Sequence, residues 1–314
     1  MKRLLLILVI VLVSCNNNPK KEAVEKTNSK TTISGNSKEL IGATVYLKDN
    51  NHFNFLTQDF IIDSTVVDSV GNFKFTIDLK ESMLVKIDSS SKNIPGTLQV
   101  FKMNPDLYQY LLCKNFLAYH PTLFVEPSES YTINTWSESH DLDAVVYEDE
   151  NHNFLRRYYT ENPYYEAVRH DRKLRDLEIK EAWQRVSKVK DSLITVLNLN
   201  GKIEKDSFNH YLKSEIVLGA SNWFFNWFDG KEFEEFNNQD YQEALSIYFE
   251  EEWNKYSLHY FKLTERVINT KLNEKYGSFK VYYEPSQDKL ETALQYAGEN
   301  IKEQYTLNIE NVIK

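Results

Sequence analysis

Apolar and polar positions follow two different rhythms along this chain. Between residues 32 and 136 they alternate. Thr44-Val45-Tyr46-Leu47-Lys48 alternates, Asn72-Phe73-Lys74-Phe75-Thr76-Ile77 puts Phe73, Phe75 and Ile77 on one face, and Tyr131-Thr132-Ile133-Asn134 repeats the pattern. A strand of that period buries one side and wets the other. Turn residues separate the stretches: Ser34-Gly35-Asn36, Asp49-Asn50-Asn51, Val70-Gly71-Asn72 and Pro95-Gly96. Residues 61–68 followed by Gly71-Asn72-Phe73 read as a hairpin. Short strands at this spacing predict an antiparallel β-sandwich. Residues 103–120 break the alternation and read as a short helix or an elaborated connection, and strand pattern returns at Thr122-Leu123-Phe124-Val125-Glu126-Pro127.

Beyond about residue 140 the period lengthens. Ala182, Val186, Val189, Leu193 and Val196 step as the stripe of an amphipathic helix, and Phe208, Leu212, Ile216, Gly219 and Trp223 form a second stripe. Asp206 or Ser207 caps that second helix in this reading, and Asp229-Gly230 stops it. A third helical region runs over residues 241–276 with Gly277 as its C-cap, and residues 286–305 form a fourth behind Pro285. The fold expected is an α+β, two-domain one: an antiparallel sandwich over residues 32–138 and a mostly α-helical domain over 145–314.

The first residues follow neither rhythm. Lys2 and Arg3 precede an unbroken apolar run over residues 4–13, and Leu12-Val13-Ser14-Cys15 closes it. Charged, apolar, then small is the order of a secretory signal peptide, and the cysteine sits as in a bacterial lipobox. The run of 10 residues is half of the roughly 20 that a spanning helix needs. Residues 1–14 are therefore expected to be removed and Cys15 to be acylated, palmitate included. Several acyl chains on one cysteine anchor stably where a single chain does not. Residues 15–31, rich in Asn, Lys, Glu, Thr and Ser, form the tether. The expected location is the outer membrane of a bacterial cell envelope, with neither its periplasmic nor its outer face selected by the sequence.

Composition narrows the chemistry. Loss of Lys2 and Arg3 moves the net charge from −9 to −11, which argues against nucleic acid or anionic lipid as partners through a general positive field. The chain has two cysteines, and lipidation of Cys15 leaves Cys113 alone in an apolar setting, so no internal disulfide is expected. Twenty Tyr, eighteen Phe and five Trp suit both a core and a wet interface.

Several residues of the first half occur in a recognisable order: Ile33-Ser34-Gly35, Gly42-Ala43-Thr44-Val45-Tyr46-Leu47, Ile62-Asp63-Ser64-Thr65, Gly71-Asn72-Phe73-Lys74-Phe75, and Phe124-Val125-Glu126-Pro127 before Tyr131-Thr132-Ile133. This order resembles the amino-terminal β-domain of bacterial thioredoxin-like envelope lipoproteins over about residues 31–136. The resemblance implies a lipidated β-domain, a helical stretch, and then a thioredoxin fold bearing Cys-x-x-Cys. This sequence has no Cys-x-x-Cys and carries helical pattern to Lys314, so the redox activity does not transfer.

Other constellations have plainer readings. Asp63-Ser64-Thr65 with Asp68 and Asn72 lacks EF-hand spacing and reads as a β-turn. Glu148-Asp149-Glu150 with His152 offers metal-ligand chemistry at a composition break and reads as a solvated interdomain segment. Glu250-Glu251-Glu252 reads as the wet face of a helix, and Arg169-His170-Asp171-Arg172 as a charged helix turn. No catalytic residue, metal site or cofactor is expected. Trp223-Phe224-Phe225-Asn226-Trp227-Phe228 places rings all round a helix end, so Trp223, Trp227 and Phe228 are the candidates for a partner or ligand surface. The function expected is that of a membrane-anchored, non-catalytic interaction module with an envelope protein or glycan partner. Two alternatives stand beside it: a glycan- or peptide-binding lipoprotein using its aromatic helices, and an accessory subunit of a separate thioredoxin-like envelope protein.

Overall fold

The structure, a computed structural model, describes residues 30–50, 61–89, 120–137, 144–161, 163–164, 178–199, 207–228, 238–277 and 286–313. Its N-terminal part is made of two four-stranded sheets and its C-terminal part of helices, so the α+β, two-domain architecture holds. The strands are β1 (Thr31–Asn36), β2 (Thr44–Asp49), β3 (Ile61–Val66), β4 (Asn72–Ile77), β5 (Met83–Asp88), β6 (Thr122–Val125), β7 (Ser130–Trp136) and β8 (Val145–Tyr147). One sheet runs β4-β1-β7-β8 and the other β3-β2-β5-β6.

Alternation explains the inner layer. β4 is buried at every second residue, with Phe73, Phe75 and Ile77 turned inward as its pattern predicts. They meet Ile33, Val45, Leu47, Val85, Ile87 and Trp136 in one apolar core, where Phe73 packs edge-on against Trp136 at 5.8 Å. Three features differ from the sequence reading. β1 and β7 pair in parallel, so their sheet is mixed rather than antiparallel. β3 and β4 lie in different sheets, so residues 61–68 and 71–73 form a corner across the sandwich, not a hairpin. Asp68 closes that corner by accepting the backbone N–H groups of Val70 and Asn72 at 2.9 and 2.7 Å, and Gly71 supplies a φ of 93°. Finally, β8 is a strand inside the span expected to be helical.

The helices are α1 (Glu150–Glu161), α2 (Ile179–Leu199), α3 (Ser207–Phe228), α4 (Gln239–Ser246), α5 (Leu258–Tyr276), α6 (Gln287–Tyr296) and α7 (Glu299–Ile313). Ala182 and Val186 face inward as expected, but Val196 is 45% exposed and Leu197 takes the buried place. The 3.6-residue period has rotated the stripe by then. The expected third helix divides into α4, a short 3-10 turn (Ile247–Phe249) and α5, which puts Glu250-Glu251-Glu252 in a connecting bend, not on a helix. Ser257 caps α5 by accepting from the Tyr260 N–H, and Gly277 ends it in the left-handed conformation at φ 61°. The expected fourth helix breaks at Ala297 and Gly298. Gly298 is needed there because a Cβ would sit 1.8 Å from the Tyr260 hydroxyl, and its N–H donates to Tyr248 Oη at 2.9 Å.

The two domains share an interior. In β5, residues 84–88 are all buried, as are all four residues of β6, which alternation does not produce. Leu84 and Phe124 leave the sandwich and enter the helical core. The Phe124 ring stacks on Phe208 at 5.7 Å and on Tyr211 at 5.0 Å, and meets Tyr256 edge-on at 6.1 Å.

Candidate functional site

Four polar assemblies come out of this packing. The first is in the middle of α3. Glu215 is fully buried, in keeping with its place on the apolar stripe three residues after Leu212 and four before Gly219. Tyr159 donates its hydroxyl to Glu215 Oε2, and Tyr211 Oη lies 2.9 Å from Tyr159 Oη. The other carboxyl oxygen accepts from the backbone N–H of His259 at 3.5 Å, in the first turn of α5. Glu215 thus meets the positive end of a neighbouring helix beside that helix's own cap. Burial pushes its carboxyl above the usual range, against hydrogen bonds from Ser257, Tyr159 and the amides of His259 and Leu258. Tyr158 donates to the Glu215 carbonyl at 2.8 Å and lies 3.3 Å from His259 Nε2. This network ties α1, α3 and α5 together. Its residues are enclosed, so its chemistry is that of packing.

The second assembly binds α1 to the sandwich. His152 Nδ1 is 2.5 Å from Asp149 Oδ2, and the Phe124 N–H donates to His152 Nε2 at 3.2 Å. Nε2 lies 3.2 Å from both the N–H and the carbonyl oxygen of Phe124, so the ring has a backbone partner whether Nε2 accepts or donates. Burial raises the Asp149 carboxyl, and the hydrogen bonds and charge of His152 outweigh this and hold it below the usual range. An Asp–His pair is also a catalytic arrangement, but here the ring's second nitrogen is engaged by the backbone of β6, the edge strand of its sheet. Glu148, Asp149 and Glu150 are exposed, as read, whereas His152 is 2% exposed and acts as a clamp.

A third cluster lies on the same sheet. Lys48 and Lys86 are register partners on β2 and β5, and their Nζ atoms lie 3.2 and 3.4 Å from Asp88 Oδ2. All three side chains are buried. Burial lowers the Lys86 ammonium, Asp88 opposes that shift and Lys48 adds to it. His120 is pushed down to about 4 by burial and by Lys86, with Asp88 opposing and Lys48 contributing.

The fourth assembly opens to solvent. A cleft of about 400 Å³ lies at the seam of the two domains. The sandwich lines it with Asp49, Leu79, Lys80, Glu81 and Met83, and the helical domain with Lys255, Tyr256, Asn300, Ile301 and Gln304. Lys255 Nζ reaches across to Glu81 Oε1 at 3.0 Å and lies 5.4 Å from the centre of the Tyr256 ring. Asn300 is occupied at both ends, donating to the Trp253 carbonyl at 2.6 Å and accepting from Tyr260 Oη at 3.0 Å.

The aromatic candidates fall elsewhere. Trp223 is 8% exposed and Phe228 1% exposed, both within the helical core, so neither offers a docking surface. α3 is the central helix and is covered by α2, α4 and α5, which is why rings on all of its sides find a core. The side chain of Trp227 lies outside the described residues, as do Cys15, Cys113 and residues 169–172. Among the described residues no cluster of three or more His, Cys, Asp or Glu could hold a metal, and no helix is long and apolar enough to cross a membrane. The seam cleft was not legible in the sequence, because its two walls come from residues about 200 positions apart.

Fold and site together define a two-domain α+β protein with a polar-walled cleft at the domain seam. Set against known proteins, the chain matches no family model, no curated protein and no solved structure.

Proposed function

We propose that this chain is a lipid-anchored bacterial envelope protein that works as a non-catalytic interaction module. The observation that carries the reading is the order Lys2-Arg3, an apolar run over residues 4–13, and Leu12-Val13-Ser14-Cys15. The 15 residues between Cys15 and Thr31 span at most about 50 Å when extended, enough to hold the folded part clear of a bilayer surface. Expression in a bacterial host with an alkyne-bearing palmitate tests it directly. Wild type should carry the label and partition into detergent, and Cys15→Ala should lose the label. Labelling that persists in Cys15→Ala, or an unlabelled wild type, would overturn the anchored reading.

The seam cleft favours a second reading, a ligand-binding lipoprotein. It differs from the sequence expectation in using the domain junction rather than the aromatic helix. A solvent-reached hollow with apolar, charged and hydroxyl groups on facing walls is the usual form of a small-ligand site.

A further inference from the structure

Helix α1 fastens an edge strand of each sheet, and it does so with two neighbouring side chains of unequal capacity. Asn153 serves β8. Its Oδ1 accepts the Tyr147 N–H at 3.0 Å and its Nδ2 donates to the Tyr147 carbonyl at 2.9 Å. A carboxamide carries both a donor and an acceptor, so it holds both backbone groups at once. His152 serves β6 with one atom. Its Nε2 lies 3.2 Å from the Phe124 nitrogen and 3.2 Å from the Phe124 carbonyl oxygen. A bare imidazole nitrogen can only accept and a protonated one can only donate, so the ring holds one of the two groups at a time.

The ring is fixed in place between those two groups. Its Nδ1 is 2.5 Å from Asp149 Oδ2, and the same oxygen accepts the His152 backbone N–H at 3.1 Å. Phe208 of α3 stacks on the imidazole at 4.5 Å, and Tyr131 of β7 and Tyr147 of β8 flank it at 5.6 and 5.5 Å. Those three rings and Phe124 bring no charge against it. The charges nearby are Asp149, Arg156 one turn along α1, and Glu126 and Glu129, which act with Asp149 on the Tyr131 phenol. His152 itself is buried, but the Asp149 side chain beside it is 46% exposed, so the pair is in touch with solvent.

We infer that His152 is a proton-operated switch at the domain junction: neutral, its Nε2 accepts the Phe124 N–H, and protonated, the same atom donates to the Phe124 carbonyl. Asp149 keeps Nδ1–H as its partner in both states, so Nε2 is the atom that takes the proton from solvent. α1 stays fastened to β6 throughout, and what changes is the backbone group it holds. Phe124 is the residue whose ring stacks on Phe208 and Tyr211, so the change is felt where the two interiors meet. Asn153 is the fixed clasp beside it.

NMR of the full-length protein in detergent, with 15N in histidine, phenylalanine and tyrosine, tests this between about pH 8 and pH 4.5. At the alkaline end the bare ring nitrogen of His152 should be Nε2. Through the His152 titration the Phe124 amide should shift with the same midpoint. Its exchange with solvent, normalised for hydroxide, should speed about tenfold as the N–H gives up its acceptor. Exchange at the Tyr147 amide, held by Asn153, should not change. His152→Gln puts a donor and an acceptor where one atom stood, and should make exchange at Phe124 independent of pH over this range. Should His152→Gln fail to fold, the wild-type titration decides alone. A bare Nδ1 in place of a bare Nε2, a Phe124 amide that ignores the His152 titration, or a ring that takes up no proton by about pH 4.5 would each overturn the switch. Faster exchange at Phe124 and Tyr147 together would also overturn it, because α1 would then be leaving the sandwich rather than changing its hold.

Discussion

Among the described residues the sandwich core holds one buried tyrosine, Tyr147, whereas the helical core holds nine, and the two interiors satisfy their polar groups in different ways. In the sandwich the backbone ladders consume most donors and acceptors, so side chains need only be apolar and alternate. Tyr147 is placed at an edge, where its hydroxyl donates to the Thr122 carbonyl at 3.0 Å and accepts the Thr122 N–H at 2.8 Å. The helical domain instead uses hydroxyls to join elements. Tyr164 donates to the Ile216 carbonyl at 2.6 Å, Tyr248 accepts from Gly298, and Tyr305 donates to Glu265. A strand layer is specified by pattern, while this helical layer is specified by pattern plus individual bonds.

The sharpest way to break the contrast is at the residue that belongs to both interiors. Phe124→Ala removes the ring stacked on Phe208 and Tyr211, and should cost roughly 3–5 kcal/mol. Urea unfolding should then lose a single cooperative transition if the shared ring couples the domains. Next comes the charge buried on the sandwich side. Asp88→Ala leaves Lys48 and Lys86 without the carboxylate between them and should destabilise by about 3 kcal/mol, measured the same way.

The pH dependence separates the two regions by sign. His120 is held down to about 4 when folded and returns to about 6.5 when unfolded, so the unfolded chain takes up the proton that the folded chain refuses. Stability should fall as pH drops from 6.5 towards 4, by at most about 3 kcal/mol, and His120→Gln should flatten that limb. Glu215 acts oppositely. Its folded carboxyl is held above its unfolded value, so its contribution is full at low pH and is lost as pH rises out of the ordinary carboxylate range. Glu215→Gln should remove this second slope while leaving the first, as read from unfolding at a series of pH values. The smallest effect expected is that of Ser257→Ala, about 1 kcal/mol from loss of the α5 cap. It should lower the midpoint without changing either slope's direction.

These contrasts also explain what could be read from the sequence. Phe73, Phe75 and Ile77 announced their strand because one face is dry and the other wet. β5 and β6 gave a weaker signal, since burial on both faces erases alternation. Gly277 was legible as a cap because a left-handed backbone favours glycine, but the break at Ala297 and Gly298 was not, because Tyr248 and Tyr260 impose it from 40 to 50 residues away. Glu215 could have been suspected from its place on an apolar stripe, yet its partners Tyr159 and His259 come from two other helices. Tyr256 gave no signal at all, being one of twenty tyrosines until the two domains meet around it.

The parallel pairing of β1 with β7 sets an order of events. Thr32 opposes Ser130, so β1, the first of the described strands to be synthesised, has one of its two neighbours nearly a hundred residues behind it. Closing a loop of that length costs about 4 kcal/mol of chain entropy, plus a constant, before the ladder returns anything. One edge of β1 can pair with β4 early, while the other must stay open until residues 130–133 are delivered. Long-range pairing of this kind slows folding.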